Sequence, residues 1–134
     1  MRTNFKEFIL MSAELATNTP EENHRRSVLL EYIFHDLDAK FEKVEGYYKG
    51  IKEVSYMVFL NIPQGITTEV FALIAFNKFN QESILHRGTD NVATLIYHDH
   101  SEIIGKCVEI NAKLANELEN FTRFPKTNRY MGVI

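Results

Sequence analysis

Cysteine is almost missing from this chain. Cys107 stands alone, so no disulfide can form within it, and a single thiol fits a reducing compartment. Positive charge is not in excess: 15 Lys and Arg face 18 Asp and Glu, a net charge of -3 with histidine neutral. With no basic face, a nucleic-acid binder held by phosphate neutralisation is disfavoured. Long apolar runs are missing too. Phe8-Ile9-Leu10-Met11 imitates the hydrophobic part of a secretion signal, but Glu7 and Glu14 bracket it and it is too short. Nothing approaches the roughly 18 to 20 apolar residues that span a bilayer. The chain has no GxGxxG and no P-loop, so the usual nucleotide-phosphate cradles are excluded. Repeats and low-complexity segments are absent as well.

What is there suits one domain over residues 1–134, with 45% hydrophobic and 25% charged residues, the balance of an ordinary soluble globular protein. A chain of this length buries about two-thirds of its unfolded surface and needs no metal or disulfide to fold. Residues 5–13 read as a buried strand. Thr19-Pro20-Glu21-Glu22 carries a capping box with proline at the first helical position. The helix it opens runs to about Lys40, with Val28, Leu29, Tyr32, Ile33 and Leu37 on one side. Strands follow at 41–49, with a glycine inside, and at 53–61, with Val54, Tyr56, Val58 and Leu60 on one face. Gly50-Ile51-Lys52 makes the turn between them, and Asn61-Ile62-Pro63-Gln64-Gly65 ends the second strand. A second helix over 67–79 turns Val70, Phe71, Ile74, Ala75 and Phe79 inward, and strands follow at 82–87, 92–98 and 102–110.

This order, β-α-β-β-α-β with an added C-terminal hairpin, predicts an α+β two-layer sandwich, ferredoxin-like, with both helices on one face of an antiparallel sheet. Residues 111–120 have weak helical character. The tail from Phe121 has no period, yet it ends on Tyr130, Met131, Val133 and Ile134. That apolar end is expected to dock on its own domain, with a neighbouring subunit as the alternative.

Three constellations carry less than they promise. His98-Asp99-His100 places two imidazoles on one strand face, but no third ligand stands at metal-site spacing, and a polar hairpin tip is the simpler reading. Cys107 lies mid-strand among Ile103, Ile104 and Val108, which points to a buried, inert thiol rather than a nucleophile paired with His86 or His98. Asn120-Phe121-Thr122 matches a glycosylation sequon, which means nothing without a secretion signal.

More informative is a series of polar residues at the ends of hydrophobic elements: Ser12, Asn23, Arg26, Tyr48, Glu53, Ser55 and Gln81. Each alone reads as a cap, a turn donor or a solvated charge. In a two-layer sandwich such element ends converge at one rim.

The runs FILMSAE (8–14), EENHRR (21–26), VEGYYKGIKEVS (44–55), FNQESIL (79–85) and VATLIYHD (92–99) together resemble the phage S-adenosylmethionine hydrolase/lyase family in order and spacing. The match covers about residues 5–110, and Tyr47 stands where that family often has Cys. The resemblance implies a cofactor-free enzyme that takes S-adenosyl-L-methionine as substrate. It also implies a small homo-oligomer, a trimer, with the site near the subunit interface and no nucleic-acid or membrane partner. Its setting would be the cytoplasm of an infected bacterium, where loss of the methyl donor counters methylation-dependent restriction. By position, the resemblance gives Glu53 and Tyr48 as catalytic residues and Ser12, Asn23, Ser55 and Gln81 as substrate-binding residues.

Two routes follow. In the lyase route the substrate's carboxylate attacks its own γ-carbon, giving 5′-methylthioadenosine and L-homoserine lactone. In the hydrolase route water attacks, with Glu53 as general base, and gives homoserine. The lyase route is favoured because no water-activating metal site, reactive thiol or Ser-His pair is evident. A non-catalytic nucleotide-binding or anti-defence protein is the alternative from another class.

Overall fold

Lys49 and Gly50 both adopt positive φ, 51° and 82°. That is the two-residue hairpin turn whose twist matches the flanking strands. In this computed structural model, which describes residues 7–60 and 67–134, the turn joins β2 (Lys40–Tyr48) to β3 (Ile51–Phe59). The expected turn at Gly50-Ile51-Lys52 is thus shifted toward the N-terminus. Phe5 and Lys6 of the expected first strand, and the strand end at 61–65, lie outside the described residues.

The remaining elements are β1 (Phe8–Met11), α1 (Pro20–Asp36), α2 (Thr68–Leu73), β4 (Ser83–Arg87), β5 (Val92–Tyr97), β6 (Ser101–Ile110), α3 (Ala112–Glu117), β7 (Asn120–Phe124) and β8 (Arg129–Val133). The capping box at Thr19 and Glu22 is present with both hydrogen bonds. From α2 the chain widens into a π-helical turn over Ile74–Lys78. No helix among the described residues is long and apolar enough to cross a membrane.

The eight strands described form a closed antiparallel barrel in the order β1-β3-β2-β7-β8-β6-β5-β4. This overturns the expected ferredoxin-like two-layer α+β sandwich with an added hairpin. The reason lies in the tail. Phe121–Ile134 shows no period because β7 and β8 are short and face two different surroundings, yet they bridge β2 to β6. The sheet therefore curls and covers one of its faces with itself, which also removes its free edges. The other face of β1, β3 and β4 carries the helices.

Two apolar cores follow from strand alternation. On β3, Val54, Tyr56 and Val58 point to the helices and meet Leu30, Phe34, Phe71, Ala75 and Phe79. Met57, on the opposite face, packs inside the barrel with Phe8, Ala93, Cys107 and Met131. The inward face of α1 is Ser27, Leu30 and Phe34, whereas Val28, Leu29 and Tyr32 are exposed. The apolar residues of this helix occupy both sides, so periodicity alone did not single out the buried stripe. On α2, Phe71, Ala75 and Phe79 are buried as expected, while Val70 is exposed.

Candidate active site

One end of the barrel interior is hollow. The cavity measures about 590 Å³, within the ordinary range for small-molecule sites. Glu53 and Ser55 reach it from β3, Tyr48 from β2, Tyr97 from β5 and Thr122 from β7. Ser12 and Gln81 enter from the chain just after β1 and just before β4.

A glycine makes the space. Gly46 is paired with Glu53 on one side and with Thr122 on the other. A Cβ at Gly46 would lie 2.6 Å from Ser55 Oγ and 3.7 Å from Glu53 Cγ, so any other residue would push the serine hydroxyl aside. The glycine inside the second strand was the visible signal for this close approach.

Five of the six residues proposed from the sequence line this one cavity: Tyr48, Glu53, Ser12, Ser55 and Gln81. They are placed differently. Tyr48 stands at the rim, half exposed, with Lys49 Nζ 5.5 Å from its ring centre. Ser55 is buried. Ser12 Oγ donates to the Val54 carbonyl (2.7 Å) and accepts from the Glu14 amide (3.0 Å). Gln81 Nε2 donates to the carbonyls of Glu14 (2.9 Å) and Phe79 (3.3 Å). The side chains of Ser12 and Gln81 therefore brace the cavity wall as well as line it.

Asn23 is not in the lining. Its Oδ1 accepts from the Leu15 amide (2.9 Å) and its Nδ2 donates to the Leu15 carbonyl (3.0 Å). Arg26 is a staple of the same kind: Nε donates to the Ala13 carbonyl (2.6 Å), Nη2 to the Phe79 carbonyl, and the guanidinium lies over the Phe79 ring.

Glu53 is electrostatically unusual. Burial, followed by the negative charge of Glu14, raises its carboxyl to about 7, so it changes charge near neutrality. The described residues that line the cavity include Glu53, Glu82 and Glu119 and no Lys, Arg or His. Cys107 is buried, which pushes its thiol up to about 11; it is neutral at physiological pH and a poor nucleophile.

The histidine tip is held by its own contacts. The rings of Tyr97 and His100 stack at 4.4 Å and 7°, and His100 Nδ1 lies 2.6 Å from Asp99 Oδ1. Among the described residues no group of three or more potential ligands is assembled.

Several lining residues were not singled out from the sequence. Thr122, Met131 and Val133 come from the tail that was read as aperiodic, Asn120 from the segment read as weakly helical, and the sequon residues Asn120 and Thr122 are cavity wall. Glu14, beside Glu53, lay just beyond the Ser-Ala end of the first strand.

The chain matches the model of the S-adenosylmethionine lyase family over residues 9–133. The chain belongs to the S-adenosylmethionine lyase family. Among curated proteins none matches it. The match extends through β7 and β8, so the strands that close the barrel belong to the family's domain as much as the glycine and glutamate strands do. The protein is an enzyme acting on S-adenosylmethionine.

Proposed function

We propose that this enzyme cleaves S-adenosyl-L-methionine to 5′-methylthioadenosine and L-homoserine lactone by attack of the substrate's own carboxylate. The bond from carboxylate oxygen to γ-carbon forms as the carbon–sulfur bond breaks. Its electron pair returns to sulfur, which leaves as a neutral thioether. No proton moves and no cofactor takes part.

The observation that carries this reading is a cavity lined by Glu53 without a basic side chain among its described lining residues. An Arg or Lys would pair with the substrate carboxylate and blunt it. Here Glu53 takes the α-ammonium, and the carboxylate is left free to reach the γ-carbon. In this step the carboxylate and sulfonium charges vanish together. A fixed charge at the sulfonium would favour the ground state over the transition state. Glu53 therefore acts on the ammonium, whose charge persists, and the apolar wall faces the sulfonium. Fixing the methionine chain in line contributes on the order of 7 to 11 kcal/mol. In this reading Tyr48 stacks on adenine at the rim, and Ser55, with Ser12 and Gln81, hydrogen-bonds the nucleoside and amino-acid ends. Asn23 acts from a distance, by holding the Leu15 backbone.

One feature favours the hydrolase reading instead: a carboxyl raised to about 7 suits a general base for water. That route would give homoserine.

We further propose a homo-oligomer, a trimer, with the cavity mouth at the interface. Tyr48 at the mouth and its neighbour Ile51 are exposed, as are Ile104 and Ile103, an apolar rim that a second subunit would cover. The setting proposed is the cytoplasm of a phage-infected bacterium, where loss of the methyl donor blunts methylation-dependent restriction.

The test is turnover. The purified chain, given excess S-adenosylmethionine and a chelator, is expected to release 5′-methylthioadenosine over many cycles. Release of one equivalent or less would contradict catalysis.

A further inference from the structure

The β1–β3 ladder stops at the pair Met11–Tyr56. Beyond it, the Val54 amide and carbonyl point toward a strand that has already turned away. Ser12 and Glu14 replace the missing strand: Ser12 Oγ donates to the Val54 carbonyl (2.7 Å), and Glu14 Oε1 accepts from the Val54 amide (3.1 Å). Glu14 is itself held by its backbone. Its amide donates to Ser12 Oγ (3.0 Å), and its carbonyl accepts from Gln81 Nε2 (2.9 Å). Three fixed points therefore hold a carboxylate beside the residue that follows Glu53.

A neutral acceptor would satisfy the Val54 amide equally well, so the charge calls for another explanation. It acts on Glu53, in a cavity whose described lining holds no Lys, Arg or His. The titratable groups that line the cavity with Glu53 are Tyr47 and Tyr48 of β2, Glu82 before β4, Tyr97 of β5, Cys107 of β6 and Glu119 before β7. None of them is positive. Lys49 is not in the lining and stands over the Tyr48 ring at the rim, 5.5 Å from its centre; Lys52 lies on the outer wall, 4.0 Å from Glu45, and Arg26 is engaged with the carbonyls of Ala13 and Phe79.

We propose that Glu14 is a positioning residue of this site: its carboxylate, tethered to the Val54 amide outside the cavity lining, acts on Glu53 and makes the Glu53 seat selective for the ammonium of the substrate. This rests on the reading of the cavity as the S-adenosylmethionine site. In the empty pair Glu53 keeps its proton up to about neutrality, since burial and then the Glu14 charge oppose its ionisation. An entering cation removes the opposition, and the proton leaves. A neutral ligand gains nothing from the pair.

The experiment compares the parent chain with Glu14→Gln, which keeps an oxygen for the Val54 amide, and with Glu14→Asp, which keeps the charge. Carboxyl-carbon NMR of the ligand-free proteins follows the Glu53 titration. The midpoint is expected to fall by about one pH unit in Glu14→Gln, tenfold in proton affinity, and to stay high in Glu14→Asp. S-adenosylhomocysteine, which has the ammonium but cannot be cleaved, is then titrated calorimetrically across the same pH range. Its affinity is expected to weaken on acidification, with a midpoint that follows Glu53 in each variant. 5′-Methylthioadenosine, which has no ammonium, is expected to bind with little pH dependence. A Glu53 midpoint unchanged in Glu14→Gln, with ligand binding intact, would overturn the role of Glu14 and leave the site's function standing. Failure of both nucleosides to bind the parent chain, with the Glu53 midpoint still moved by Glu14→Gln, would overturn the assignment of the cavity and with it the selectivity proposed here.

Discussion

Gly46 and Glu53 are direct partners across the β2–β3 ladder, and the side chain that Gly46 lacks is what leaves the cavity open beside the glutamate. A Cβ there would meet Ser55 Oγ at 2.6 Å, whereas the next atom, Ser55 Cβ, is at an ordinary 3.5 Å. Gly46→Ala is therefore expected to cost about 1 to 3 kcal/mol of stability by overpacking and to raise KM. Adding Ser55→Ala should restore most of the stability. Thermal unfolding of the single and double variants checks this, and a double variant no more stable than Gly46→Ala would contradict it.

Glu53 ties function to stability. Its carboxyl lies at about 7 in the fold against an ordinary 4.5, so the folded state holds a proton that the unfolded chain has released. Stability from this group is full below the ordinary value and is lost as pH rises from about 4.5 to about 7. Glu53→Gln removes the effect. Denaturant unfolding should find the variant similar to the parent near pH 4 and more stable at pH 8, by on the order of 1 to 3 kcal/mol. Turnover in the same variant should fall by about 10²-fold or more, whether the lost group binds the ammonium or acts as a base. A variant with parent activity at pH 8 would remove Glu53 from the chemistry.

Cys107 lines the cavity without being a reagent. With the thiol held near 11 by burial, the native protein should resist alkylation at pH 7.5, and Cys107→Ala should keep turnover within a few fold. The small void left behind should lower stability by about 1 kcal/mol. Loss of activity without loss of folding would make the thiol a participant.

How far the sequence revealed these features varied with what each residue faces. The alternation of Val54, Tyr56 and Val58 marked β3 and its helix-facing side, because that face is uniformly apolar. The same alternation placed Glu53 and Ser55 together on the other face, but not inside a barrel. Closure depends on pairing between β2 and β7 and between β6 and β8, contacts between residues far apart in the chain. On β7 and β8 some of the inward residues are polar, such as Thr122, and Gly132 has no side chain, so no period showed. Asn23 and Gln81 were visible as polar element ends. Their hydrogen bonds to the Leu15 and Glu14 backbones follow from loop geometry that no local pattern encodes.

The exposed rim residues provide the test of assembly. Ile103 is 74% exposed and Ile51 62% exposed. If a second subunit covers them, Ile103→Asp should convert a trimer to smaller species in light scattering and lower activity in parallel. A parent chain that is an active monomer at working concentration would contradict the interface.

The origin of the lactone's ring oxygen bears most directly on the proposed reaction. The enzyme is run in heavy-oxygen water with S-adenosylmethionine, and the four-carbon product is analysed by mass spectrometry before and after the lactone is opened. Attack by the substrate carboxylate leaves the lactone unlabelled, and later opening places heavy oxygen only in the carboxyl group. Heavy oxygen in the hydroxyl of homoserine would show that water attacked the γ-carbon, and would restore Glu53 as the base that activates it.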